Sequence, residues 1–313
     1  MRTFLENMLS NSRRGGDVFS FAFMIVIFIT VALVSPLFLK AGNLSNLLSQ
    51  IAPLYPVSVG QMLVILTGQL DLSVGPVISL TTAIVSSSLH PAVSVALALL
   101  VGGFIGMLNG LGVAKLRIHP IIMTLSMQIT LQGVCYYLRP NPGGTVGAAL
   151  RSLNSGSLLG IPAPFLVIAG VTLIAYLILY ESRYGVHIFA VGGGIENAEM
   201  NGINTTWVIV KTFVLCSMFS VISGIVIAAR IGSGFAVIGD PFTLDSIIAV
   251  ALGGTQLVGG IGSLLGTFCG NIILATLANG MNLANLSAYF QMFVKGLLLM
   301  VIISFQRRKK FGL

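Results

Sequence analysis

Asp71 is the one acid between Asp17 and Glu181, and it stands in the run Gly68-Gln69-Leu70-Asp71-Leu72-Ser73-Val74-Gly75-Pro76 between two apolar stretches. A lone carboxylate in such surroundings is costly unless it meets water, a cation or backbone donors. Asp-Leu-Ser ahead of an apolar run reads as a helix start, with Asp71 accepting from backbone N–H groups. The same segment also reads as a broken-helix element lining a pathway, and both readings stay open at this point. Uncharged amides are scattered through the apolar runs, where they can join helices or offer donors and acceptors to a polyhydroxyl solute. Gln61, Gln69, Asp71, Ser73, Asn109, Gln256 and Asn279 are the resulting candidates for a translocation pathway.

Catalytic chemistry has no comparable candidate. None of the six lysines follows a glycine, so no P-loop for ATP is present, and there is no His-Glu-x-x-His pair or Gly-x-Ser-x-Gly elbow. His90, His119 and His187 are far apart, and the three cysteines, Cys135, Cys216 and Cys269, lie inside apolar stretches as small packing residues. The expectation is a chain that is not an enzyme and holds neither metal nor cofactor.

The elements that must position these residues follow from composition. Of 313 residues, 56% are apolar and only 8% are charged, with a mean hydropathy of +1.00. A soluble domain carries about 25% charge, so this is an all-α polytopic membrane protein. Runs near the roughly 20 residues that cross a bilayer occur at 18–39, 53–69, 74–89, 92–114, 119–138, 162–180, 207–229, 244–258, 263–281 and 289–306. The second, third and eighth are short, and are expected to be tilted, broken or re-entrant. The first is too long for a signal peptide and lacks a small-residue cleavage site after it, so it reads as a retained helix.

The net charge of +8 would suggest nucleic acid in a soluble chain, but here it reports membrane sidedness. With the N-terminus cytoplasmic, Arg2, Arg13, Arg14, Lys115, Arg117, Arg183, Lys211, Arg307, Arg308, Lys309 and Lys310 fall inside. Lys40, Arg139, Arg151 and Arg230 fall outside, and Lys295 lies within the last span. This asymmetry predicts ten crossings with both termini cytoplasmic. Asp71 and Lys295 then read as the charges placed in the interiors of the spans, too few for an ion relay. Residues 1–313 form a single transmembrane domain with two long connections, 181–206 inside and 139–161 outside. Gly102, Gly106 and Gly110 recur in the fourth span as Gly262, Gly266 and Gly270 do in the ninth. Small residues one turn apart allow close helix contact, and the five-span offset is compatible with a five-plus-five inverted repeat.

Three motifs together resemble the ribose-type permease subunits of bacterial ABC sugar importers, over most of the chain. They are Leu66 to Gly75 with its Asp71-Leu72-Ser73-Val74-Gly75 core; Ala190-Val191-Gly192-Gly193 leading through Ala198 to Gly202-Ile203; and Leu244-Asp245 through Gly253-Gly254-Thr255, Gly259-Gly260 and Gly262-Ser263 to Gly266-Thr267. The sequence departs from the family pattern at Gln69, Pro76, Gly194, Glu199, Thr243 and Gln256, around the pathway and the loop 181–206. The resemblance implies a bacterial inner-membrane permease that translocates a small polyhydroxylated solute, a monosaccharide in the first instance. Its implied partners are a cytoplasmic ATP-binding subunit, a second permease as homo- or heterodimer, an extracytoplasmic solute-binding protein and membrane lipid. ATP would then sit on the partner subunit. Glu196, Asn197, Ala198, Met200, Asn201 and Gly202 are the expected ATPase-coupling residues, and residues 139–161 with Arg139 and Arg151 are candidates for docking the binding protein. The alternatives are a gradient-driven secondary transporter or channel acting alone, and an ABC permease for nucleosides or polyols.

Overall fold

The structure is a computed structural model that describes the backbone of residues 2–305 and the side chains of residues 17–304. The basic residues Arg307, Arg308, Lys309 and Lys310, and the side chains of Arg2, Arg13 and Arg14, on which the orientation of the termini rests, lie outside the described residues.

Each of the ten apolar runs falls on a helix. In chain order these are α1 (Arg2–Val34), α2 (Ala41–Leu66), α3 (Val74–Val85), α4 (Pro91–Ala114) and α5 (Pro120–Leu138), then, after a short helix α6 (Ala148–Ser155), α7 (Ala163–Tyr176). A π-helical turn, Leu177–Glu181, extends α7. Two short helices α8 (Arg183–Gly193) and α9 (Ile195–Met200) precede α10 (Thr205–Ile231), α11 (Asp240–Leu252), α12 (Leu264–Leu283) and α13 (Ala288–Phe305). Among the described residues seven helices are long and apolar enough to cross a membrane, and shorter apolar helices occur at Val74–Val85 and Ala288–Ser304. The one sheet among the described residues is a two-strand hairpin pairing Ser157–Leu158 with Ile161–Pro162 in the connection after α5.

The sequence placed the start of the second span at Pro53, but α2 begins at Ala41 and carries Pro53 and Pro56 inside it. Proline removes a backbone donor and opens the helical ladder. The opening is filled by Ser223 of α10, whose hydroxyl donates to the Pro53 carbonyl at 2.5 Å and accepts from the Val57 N–H at 3.0 Å. A side chain inserted in the ladder is a recognised cause of a helix bend, and here it comes from 170 residues away. The first span also ends early, at Val34, because Pro36 disfavours helical backbone at Ser35. The eighth shifts from 244–258 to Asp240–Leu252, where Gly253 and Gly254 stop it.

α2 and α10 form the centre. α10 packs on α4, α2 and α3, while α2 also meets α11, α12 and α7. The glycine stripes set two of these contacts, but on different partners. A methyl group at Gly106 would lie 2.6 Å from the Phe213 carbonyl oxygen, and one at Gly110 2.6 Å from Val210 Cα, both on α10. Gly266 and Gly270 instead lie against Gly253 and Ala249 at the end of α11. Other contacts pair off between the halves: α3 packs on α4 as α11 does on α12, and α3 meets α10 as α11 meets α2.

α3 and α11 are half-length elements completed by irregular chain. At about 1.5 Å per residue, the 12 and 13 residues of α3 and α11 fall well short of the roughly 30 Å hydrocarbon core. The segment before α11 runs back along α3: the Phe235 N–H donates to Thr82 Oγ1 at 3.3 Å and the Gly239 N–H to Ser79 Oγ at 2.9 Å. A methyl group at Gly75 would come within 2.8 Å of the Gly239 carbonyl oxygen. The N-termini of the two half-helices therefore meet side by side.

Candidate functional site

The break between α2 and α3 is built from the Asp71 segment. α2 stops at Leu66 because Gly68 takes a left-handed φ of +78°. Asp71 Oδ1 then accepts from the Ser73 N–H at 2.9 Å and from the Ser73 hydroxyl at 2.6 Å. This is an Asx turn leading into α3. Asp71 therefore shapes the turn into α3, whose N-cap is Ser73, through one backbone donor two residues on. Ser73 in turn accepts from Asn109 Nδ2 of α4 at 2.9 Å, and Thr124 Oγ1 of α5 donates to the Leu70 carbonyl at 3.3 Å. One short segment is therefore tied to two long helices, α4 and α5, by polar contacts.

Asp71, Ser73 and Asn109 are fully buried and connected in series. Gln61 is also fully buried on α2, where its Oε1 faces the Cys216 thiol of α10 at 3.9 Å. Gln69 belongs to the same break and is 8% exposed. The other two pathway candidates lie elsewhere. Asn279, near the end of α12, exchanges amide hydrogen bonds with Asn43 at the start of α2, at 2.9 and 3.0 Å. Gln256 is half-buried in the connection between α11 and α12, where its N–H donates to the Ile261 carbonyl. Within the Asp71 group, Asp71 Oδ2, Asn109 Oδ1 and Gln61 Nε2 have no hydrogen-bond partner although buried. Buried polar atoms need partners, so the group has room in its bonding for a donor or acceptor from a moving element or from water.

Two carboxylates, Asp240 and Asp245, were not among the candidate site residues. Lys295 of α13 is not isolated: its Nζ donates to Asp245 Oδ2 of α11 at 2.6 Å, with the side chains 21% and 17% exposed. Asp245 is therefore a third charge in the interiors of the spans, hidden because its partner is 50 residues away. Asp240 opens α11 beside Ser79 of α3, and its side chain is exposed on the single chain. No sequence spacing marked it, since its position depends on the run of 232–239 along α3. At the far end, Arg139 and Arg151 donate to the carbonyls of Ser86 and Gly232, so they brace the connection 139–161 as well as charging it.

The connection 181–206 folds as α8, α9 and a turn into α10. Ser182 caps α8 through the Gly185 N–H at 3.2 Å, and Asn204 caps α10 through the Trp207 N–H at 3.2 Å. Glu196, Asn197, Met200, Asn201 and Gly202 are exposed, with Met200 at 86%. Ala198 is 3% exposed and packs inward, anchoring α9. Trp207, the one tryptophan of the chain, is also exposed beside them.

A bundle of long apolar helices interrupted by two half-helices, with a small polar group at the break and an exposed helical connection at one end, defines a membrane permease subunit. The chain belongs to the branched-chain amino acid transport system permease component family, whose model matches residues 43–303. It is similar to the ribose import permease of Escherichia coli K12, 36% identical over 296 residues and 92% of each chain. It is 33% identical over 293 residues to the ribose import permease of Bacillus subtilis 168, covering 91% of each. The L-arabinose transport system permease of E. coli K12 is 34% identical over 292 residues, 91% of this chain and 88% of that one. No solved structure matches the chain. The protein is thus a multi-pass inner-membrane permease subunit of an ABC importer, and it is not itself an enzyme.

Proposed function

We propose that this chain translocates a monosaccharide, with pentoses as the first class to test, and that ATP bound to a separate cytoplasmic subunit drives the cycle. The observation that carries the reading is the near full-length similarity, on both chains, to permeases named for ribose and arabinose. The missing P-loop agrees with an ATP site on a partner. An extracytoplasmic solute-binding protein delivers the sugar, and a second permease subunit, identical or similar, completes the route.

The ATPase docks on α9 and the turn after it, through Glu196, Asn197, Met200, Asn201 and Gly202. Closure of the ATPase pair shifts this connection and switches the membrane subunits between two openings. Most of the proposed pathway residues are buried inside the chain, so the route opens beside the Asp71 break when the half-helices move. Asp240 faces it from α11, since an exposed carboxylate along a span is far less costly against water than against lipid.

Proteoliposomes holding the permease, its co-purified ATPase subunit and the binding protein test this. Uptake of ribose or arabinose that requires ATP on the ATPase side supports the reading. Uptake driven by an ion gradient without the ATPase overturns it.

A further inference from the structure

Three segments far apart in sequence meet at one point with almost no side chain between them. They are the end of α8 at Gly192, the end of α2 at Leu66–Gly68, and the connection between α11 and α12 at Gly259–Gly260. The Gly260 N–H donates to the Leu66 carbonyl at 2.9 Å. A methyl group at Gly192 would overlap that same carbonyl oxygen and the Gly260 nitrogen, and would lie 3.0 Å from Gly260 Cα. A methyl group at Gly260 would lie 3.1 Å from the Gly192 carbonyl carbon and the Gly193 nitrogen. One at Gly259 would lie 2.7 Å from the Gly68 nitrogen. Gly68, Gly259 and Gly260 also hold left-handed φ values of +78°, +92° and +78°, a conformation that side chains resist.

Flexible side chains can absorb a displacement by changing rotamer, whereas backbone packed on backbone has no such slack. We propose that Gly192, Gly260 and the Leu66 carbonyl form a rigid backbone junction that transmits movement of α8 to the break bearing Asp71. Gly192 and Gly260 are then positioning residues for ATP-coupled transport, acting through the segment 67–73. The proposal rests on the coupling reading given above. From the junction, movement passes through Gly68 to Asp71, and through the Ser73 bonds to α4. The neighbouring Gly193 has open space where a side chain would stand, so it is the matched control.

The test compares Gly192→Ala, Gly260→Ala and Gly193→Ala in the assembled transporter, measuring co-purification of the ATPase, ATP hydrolysis and sugar uptake in proteoliposomes. Gly260→Ala is expected to assemble and to hydrolyse ATP at the basal rate, while sugar moved per ATP falls about tenfold, the size of a lost coupling between sites; Gly192→Ala, whose methyl would overlap backbone atoms, is expected to assemble less and, where assembled, to show the same fall. Gly193→Ala is expected to match the wild type. Assembled Gly192→Ala or Gly260→Ala with wild-type sugar moved per ATP overturns the junction. Where these variants do not assemble, hydrogen exchange on the wild-type complex decides. The Gly260 amide is expected to stay protected in both nucleotide-free and ATP-trapped states, and loss of its protection in either state overturns the proposal. A wild-type complex without an ATPase, or with uptake indifferent to ATP, would instead remove the coupling reading and leave the exchange result to stand alone.

Discussion

Ser73→Ala removes two hydrogen bonds with one atom. The hydroxyl donates to Asp71 Oδ1 at 2.6 Å and accepts from Asn109 Nδ2 at 2.9 Å, and all three residues are fully buried. A hydrogen bond to a charged group contributes about 1.5–3 kcal/mol, and leaving a buried donor unpaired costs about 1–3 kcal/mol. The expected loss is therefore about 2.5 kcal/mol or more, with the upper end reduced by any water that enters. The decisive quantity is the coupling, read from Ser73→Ala, Asn109→Ala and the double variant. Residues in one hydrogen-bonded network couple by about 0.5–3 kcal/mol, while independent sites add. Unfolding by SDS in mixed micelles gives the three free energies. Additive losses, or a Ser73→Ala variant as stable as the wild type, would refute the idea that the break is held to α4 through this hydroxyl.

Four further outcomes are expected. Ser223→Ala should destabilise by about 1–3 kcal/mol, because the Pro53 carbonyl and the Val57 N–H lose their shared partner; the same SDS titration reads it, and a neutral result would mean that α2 closes its own ladder. Lys295→Met should cost up to about 3 kcal/mol by stranding Asp245, and Lys295→Met with Asp245→Leu should recover most of it, as thermal melts in detergent would show. Gly106→Val should prevent the close approach of α4 to α10, whereas Gly103→Ala, with open space around it, should be silent; monodispersity on size-exclusion chromatography separates the two. Asp240→Asn should keep assembly and basal ATP hydrolysis but weaken uptake at low sugar, and unchanged uptake kinetics would take Asp240 off the route.

The ten helices were legible because membrane crossing imposes a length and an apolar content that single runs carry on their own. Even the half-length α3 and α11 were marked, by Gly68 to Pro76 and by Gly253-Gly254. What was not legible depends on partners distant in sequence. Pro53 and Pro56 looked like a helix boundary because the Ser223 hydroxyl that bridges the opening comes from α10. The pairing of Lys295 was not seen because Asp245 was read as part of a motif and not as a charge facing α13. The glycines at 192, 259 and 260 were recognised by type and spacing, but their meeting with Leu66 is a tertiary fact. Of the pathway candidates, residue type found the Asp71–Ser73–Asn109 series. The same criterion also gathered Asn279, whose amide is committed to Asn43 at the other end of the bundle.

The most direct test of the central claim is to tag the chain, solubilise native membranes gently, and identify by mass spectrometry what co-purifies in stoichiometric amount. An ATP-binding subunit matched in number to the permease, together with sugar uptake that requires its ATP, is the predicted result. A chain that purifies without any ATPase and moves sugar in liposomes under an ion gradient alone would contradict the account.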